Sequence, residues 1–315
     1  MQIRTATEKD IPGIIELLRL SLGESLIPKS EKFWRWKHID NPFGASMVLL
    51  AEQDGQLIGL RAFMNWQWQL QGKIYRAVRA VDTATHPDHQ GKGIFKKLTL
   101  QGLDEVKSLG VSFVYNTPNQ KSKPGYLKMG WKEQGRMPLK FNINPFGYKG
   151  KMPVETTNWS DLRLADDFFH IQNQGMHTQY SQAYLTWRYA ENPIFNYHYL
   201  TDNSSYFLAY RYKEHSFGAE LRITDLLINK KNFGRVQKKQ LGKALNSRSK
   251  KVALISVSGN NYKIMQNYYP FFSIFPIVNK GPIVTFRNIQ LESEAFDQLI
   301  MPEQWAYSLG DLELF

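Results

Sequence analysis

The chain has 315 residues, 40 of them Lys or Arg and 28 Asp or Glu, for a formal net charge of +12 at neutral pH. A hydrophobic fraction of 42% and an aromatic fraction of 14%, spread from end to end, mark a chain that folds throughout and is long enough for two cores. Cysteine is absent, which excludes disulfides and thiolate metal sites; the seven histidines show no ligand spacing, so no metal is expected. The positive charge suits polyanions, phosphorylated small molecules or anionic surfaces without choosing among them.

The opening residues, MQIRTATEKDIPGIIELLRL, read as a short strand at Ile3–Thr5 and a helix with Ile11, Ile14, Ile15, Leu17 and Leu18 on its apolar face. They do not have the layout of a signal peptide, and no apolar run approaches the roughly 18 residues of a membrane span. A cytoplasmic protein with no membrane insertion is therefore expected. From Met47 to His86 the sequence predicts antiparallel strands, with hairpin turns at Asp54-Gly55 and Gln71-Gly72. Within them Met64, Trp66, Trp68 and Leu70 alternate with Asn65, Gln67 and Gln69, the period of a strand with one apolar face. A helix is predicted from about Lys92 to Leu109, closed by Gly110, then a buried strand in VSFVYN and a short segment leading to YLKMGW. This order predicts an α+β fold, a mixed central β-sheet flanked by helices.

Residues 144–160 are rich in turn formers and read as a linker, after which the pattern restarts. WKHIDNPFG from Trp36 is echoed by WRYAENPIF from Trp187. LRITDLLIN (221–229) stands where RAVDTATH stood, and VALISVSGNN (252–261) where VSFVYNTPN stood. A diverged duplication is expected, with domains at residues 1–145 and 155–290. The tail, 291–315, carries Trp305, Tyr307, Leu309, Leu312, Leu314 and Phe315 and is expected to dock on the core.

The chemistry concentrates in HPDHQGKGIF (86–95). A strand ending at Thr85, the loop Gln90-Gly91-Lys92-Gly93 and a helix starting near Ile94 gather backbone N–H groups at a positive helix end, a setting for a pyrophosphate. Neither GxxxxGK[ST] nor a GxGxxG followed by an acidic strand residue is present. The stretch resembles the acyl-CoA-binding motif of the Gcn5-related N-acetyltransferase (GNAT) superfamily, [QR]-x-x-G-x-[GA], at Gln90 and Gly93, with Phe95 where the family carries Gly or Ala. NQKSKPGYLKMGW (119–131) resembles the later family signature at Asn119, Ser122, Tyr126, Lys128, Gly130 and Trp131.

The resemblance implies two tandem GNAT-like domains, acetyl-CoA as co-substrate, and a small-molecule amine as acceptor. It assigns donor binding to Ala84, Thr85, Gln90, Gly91, Lys92, Gly93, Ile94, Phe95, Asn119 and Ser122. The amides of residues 90–95 would cradle the pyrophosphate, with pantetheine between the strand ending near Thr85 and the strand at 111–115. Tyr126 would protonate the departing thiolate. Among candidate bases for the amine proton, Asp82 leads, with His86 and His89 beside the loop. The tandem arrangement, the bulky residue after Gly-x and the terminal phenylalanine look like the enhanced-intracellular-survival aminoglycoside acetyltransferases, in which a terminal carboxylate is the base; that role would fall to Phe315. The second copy replaces the donor loop with a basic stretch, 229–251, which reads first as a solvated helix face. The expected reaction is acetyl transfer to a primary amine of an amino sugar or similar molecule. The alternatives are a tRNA-dependent aminoacyltransferase of the tandem type and a non-catalytic acyl-CoA or polyanion-binding module. Nucleic acid is not an expected partner, and the oligomeric state is left open.

Overall fold

The computed structural model describes residues 1–23, 27–144, 152–169, 175–266 and 276–311. They form two compact units, the first from described residues within 1–135, 192–194 and 283–304, the second from those within 136–191, 195–282 and 305–311.

The first unit is built on a sheet of β1 (Gln2–Thr5), β2 (Met47–Gln53), β3 (Gln56–Leu70), β4 (Lys73–Thr85), β5 (Phe113–Asn116), β13 (Ile283–Asn288) and β6 (Lys132–Arg136), in the order β1-β2-β3-β4-β5-β13-β6. The hairpins close where expected, because Asp54 and Gln71 adopt φ of 52° and 51° and the following Gly55 and Gly72 adopt 76° and 83°, the double left-handed turn that matches strand twist. The central strands are covered on both faces. Helix α1 (Ile11–Leu22) packs Ile11, Ile14 and Leu18 against Leu50, Leu60 and Ala84, and Trp34 of α2 (Glu31–His38) joins that cluster. On the other face α3 (Ile94–Ser108) packs Ile94 and Leu98 against Leu49, Ala51 and Ile58. Trp66 and Trp68 are buried, so the apolar face of MNWQWQL is core.

In the second unit the order is β7-β12-β11-β10-β9, from β7 (Leu139–Ile143), β9 (His198–Thr201), β10 (Tyr206–His215), β11 (Gly218–Ile228) and β12 (Leu254–Ser258). A hairpin, a crossover helix, a parallel strand and a short helix occur in both units: β3-β4-α3-β5-α4 in the first, with α4 at Lys123–Lys128, and β10-β11-α6-β12-α7 in the second, with α6 at Arg235–Ser249 and α7 at Gly259–Met265. α6 buries Leu241 and Leu245 in its sheet's core and leaves most of its basic side chains outside.

The unit boundaries differ from the expected 1–145, 155–290 and 291–315. β13 joins the first sheet between β5 and β6, while β7 pairs with β12 in the second. Ladder hydrogen bonds to β5 and β12 satisfy these strands' backbone groups, and they outweigh proximity along the chain. α8 (Ser293–Leu299) follows β13 into the first unit. Residues 305–311 are buried in the second, where Ala306 N donates to Met176 O and the Asp311 carboxylate accepts from Thr178 Oγ1 at 2.6 Å and from Ser308 N at 2.6 Å.

Candidate active site

β4 and β5 run parallel from Ala77↔Phe113 to Arg79↔Tyr115, and there the pairing stops. β4 continues to Thr85 while β5 ends at Asn116, so among the described residues the edge of β4 beyond Arg79 has no ladder partner on the β5 side. A cavity of about 520 Å³ opens at this splay. Thr83, Ala84 and Thr85 line one side, Gly91, Gly93 and Phe95 the helix end, and Asn119, Ser122 and Gly125 the other side.

The loop between β4 and α3 is shaped by its glycines. Gly91 and Gly93 both have φ of 76°, a conformation that strains any side chain, and a Cβ at either would meet nothing within 4 Å. Gly93 caps α3, whose first-turn amides have no acceptor one turn back in the helix. The result is a cluster of N–H groups at the positive end of a 15-residue helix, open to the cavity. Two further glycines lay α3 down on the sheet. A Cβ at Gly59 would stand 2.5 Å from Ile94 Cγ2, and one at Gly102 2.5 Å from Phe63 Cε2.

Gln90, Ile94, Asn119 and Ser122 line the cavity, with Asn119 Oδ1 accepting from Ser122 N at 2.9 Å. Lys92 is not among the lining residues, and its Nζ donates to Asp88 O at 3.0 Å. Phe95 packs edge-on to Tyr126 at 5.4 Å between ring centroids, and its bulk is matched across the cavity by Gly125, where a Cβ would lie 3.3 Å from Phe95 Cε1. Tyr126 itself is 3% exposed and stands behind Phe95 rather than on the cavity wall. Phe315 lies outside the described residues.

Asp82 differs from the expected base. It is the extra residue of a β-bulge, with φ of 33°, between Val81, which pairs with Ala62, and Thr83, which pairs with Arg61. The bulge turns its carboxylate to α2, where Oδ2 lies 2.6 Å from Lys37 Nζ and 2.8 Å from His38 Nε2. The Lys37 ammonium and the His38 hydrogen bond overcome burial and hold the carboxyl well below the usual carboxylate range. A carboxylate held so low accepts a proton poorly. His86 and His89 flank the loop, with His86 Nε2 3.1 Å from Gln56 Nε2.

Sequence reading missed Arg61. It lies on β3 and is fully buried, and its Nη1 donates to Tyr126 Oη at 2.7 Å. The signal was a lone cation inside LIGLRAFM, a run otherwise apolar enough for a strand covered on both faces.

At the matching position of the second unit, residues 229–234 fold back on themselves. The amides of Asn232 and Phe233 donate to Asn229 O and that of Gly234 to Asn232 O, so the loop spends its own donors. Among the described residues no group of three or more His, Asp or Glu side chains is placed to hold a metal, and no helix is long and apolar enough to cross a membrane.

Residues 2–133 match the family described as acetyltransferase (GNAT) domain. An L-amino acid N-acyltransferase of Escherichia coli, MnaT, is 30% identical over 94 residues, which cover 29% of this chain and 53% of that protein. The chain thus spans about half the length of the curated relative it matches. Three solved structures share the fold across nearly the whole chain. A probable N-acyltransferase of Enterococcus faecalis superposes with a TM-score of 0.67 at 13% identity, covering 92% of this chain and 72% of that one. A GCN5-related N-acetyltransferase of Anabaena variabilis gives 0.66 at 11%, covering 92% and 73%. Eis1 of Mycobacterium abscessus gives 0.60 at 13%, covering 93% and 75%.

Proposed function

Since residues 2–133 are an acetyltransferase (GNAT) domain, we propose that the protein transfers an acetyl group from acetyl-CoA to a primary amine of a small molecule. The observation that carries this reading is the splay itself. Open amides at the α3 terminus and the unpaired edge of β4 share one cavity, which suits an anion at one end and an extended amide-bearing chain along the other. Gly91, Gly93 and the first turn of α3 would hold the pyrophosphate, Thr83–Thr85 the pantetheine amides, and Asn119 and Ser122 the opposite wall.

Acetyl-CoA, when bound, supplies the activated acyl group. In this reading Tyr126 serves as the general acid: its phenol oxygen accepts from Arg61 Nη1, which leaves its proton for the departing sulfur, and its ring meets the cavity through Phe95. Asp82 stays outside the proton path and braces α2 against β4 through Lys37 and His38. The first unit carries the reaction in this reading, and the second is a diverged copy whose loop, closed on its own amides, binds no donor. An aminoacyl-tRNA donor has no use for a pyrophosphate cradle, which favours the CoA thioester.

The test is thiol release from acetyl-CoA against a panel of L-amino acids, amino sugars, aminoglycosides and polyamines. Amine-dependent thiol release supports the proposal. Saturable acetyl-CoA binding with no turnover on any amine would instead support a binding module.

A further inference from the structure

Arg61 raises a physical question that the fold alone does not answer. Its guanidinium is fully buried, no carboxylate among the described residues lies within ion-pair distance of it, and Nε and Nη2 have no hydrogen-bond partner. Burying a charge in this way is costly, and an apolar side chain of similar volume is often neutral or stabilising at such a site. Packing therefore does not account for an arginine here. Its surroundings are the rings of Phe63, Phe95 and Tyr126, with centroids 4.8, 5.7 and 5.3 Å from Cζ, and its side chain donates from Nη1 to Tyr126 Oη at 2.7 Å. Those rings attract the cation by their faces but cannot replace an anion.

We propose that Arg61 is a positioning residue for proton transfer: it fixes the phenol oxygen of Tyr126 and steadies the negative charge that oxygen carries once its proton has left. The inference rests on the reading of Tyr126 as the acid. In the step, the Tyr126 O–H bond breaks, the proton goes to the departing thiolate sulfur, and the electron pair stays on Oη facing Nη1. The C–N bond to the acceptor forms as the C–S bond of the thioester breaks, and the proton given up by the acceptor nitrogen restores the Tyr126 O–H after the thiol has left, so no proton is gained or lost over the cycle. With one lone pair of Oη held by Arg61, the O–H is turned away from the guanidinium. In a dry aromatic cage the charge interaction is strong when the oxygen is anionic and weak when it is neutral, which is the difference that lowers a barrier.

The test is a double-mutant cycle of Arg61→Met and Tyr126→Phe, reading kcat, acetyl-CoA affinity and melting temperature for all four proteins. The expected result is a loss in kcat of about 10²–10⁴-fold for Tyr126→Phe, about 10–10²-fold for Arg61→Met, and no further loss when Arg61→Met is added to Tyr126→Phe. Acetyl-CoA affinity stays within a few-fold throughout. Arg61→Lys, which keeps the charge and one donor, recovers part of the loss, and it carries the cycle if Arg61→Met does not fold. Normal kcat in Arg61→Met beside an impaired Tyr126→Phe overturns this proposal and leaves the acid in place. Losses that simply multiply in the double variant also overturn it, because Arg61 would then act through some other group. Normal kcat in Tyr126→Phe overturns the acid role and this inference together.

Discussion

Lys37 Nζ lies 2.6 Å from Asp82 Oδ2, joining α2 to the bulge of β4 beside the splay. Lys37 is 4% exposed while the Asp82 side chain is 24% exposed, so the pair is partly shielded from screening, and removing the carboxylate takes a close counter-charge from a buried ammonium. Asp82→Asn should lower unfolding free energy by about 1–3 kcal/mol. Adding Lys37→Met should recover part of that loss in denaturant titrations. Because the carboxyl is held below its usual range, residual activity of Asp82→Asn should keep the acid limb of the wild-type rate profile. Disappearance of that limb would restore Asp82 as the base.

The contact between Gly59 and Ile94 sets the height of the donor loop above the sheet. Gly59→Ala should push on the β-branched first residue of α3, costing about 1–3 kcal/mol of stability and weakening acetyl-CoA binding several-fold. Unchanged affinity in the folded variant would mean the loop is positioned independently of β3.

Much of this site was legible because it is local. Positive φ at Gly91 and Gly93, the cap of α3 and the turns at Asp54-Gly55 and Gln71-Gly72 are all set by neighbours along the chain, and sequence reads them directly. What depends on distant partners was not legible. β13 reaches β5 through the pair Thr285↔Asn116, and nothing near either residue announces it. Asp82 looked like a base because sequence could not show that a bulge turns it to Lys37. Tyr126 was found by its motif, whereas its contact with Arg61 depends on the register of β3 against α4.

That contact sets the stability expected of Tyr126→Phe. The ring remains, but deleting the hydroxyl takes the acceptor from Arg61 Nη1, so stability should fall by about 1–3 kcal/mol. An unchanged melting temperature would show that Arg61 finds another acceptor.

Asp311 gives the second unit a pH signature. Burial and the neighbouring Asp225 carboxylate push its pKa up from 3.8 to about 7. The folded state therefore binds one more proton than the unfolded state between about pH 4 and pH 7. Stability contributed by this group is greatest at the acid side of that window and falls as pH rises, by up to about 1.4 kcal/mol per unit. His198, whose pKa burial lowers, acts in the opposite sense near its upper end. Subtracting the thermal unfolding curves of Asp311→Asn from wild type between about pH 5.5 and about pH 8 removes His198 and reads the interacting Asp311 and Asp225 carboxyls together. The wild type should lose stability relative to the variant as pH rises, and a flat difference would place the proton elsewhere.

The central claim is that the loop at residues 90–95 holds acetyl-CoA in the first unit and that the second unit holds none. Calorimetric titration of acetyl-CoA into wild type and Gly93→Glu, with folding of the variant checked by circular dichroism, tests it most directly. The account predicts one site per chain in wild type and loss of measurable binding in the variant, where a side chain strained at φ of 76° brings negative charge to the anion's place. Two equivalent sites in wild type, or wild-type affinity in Gly93→Glu, would contradict it.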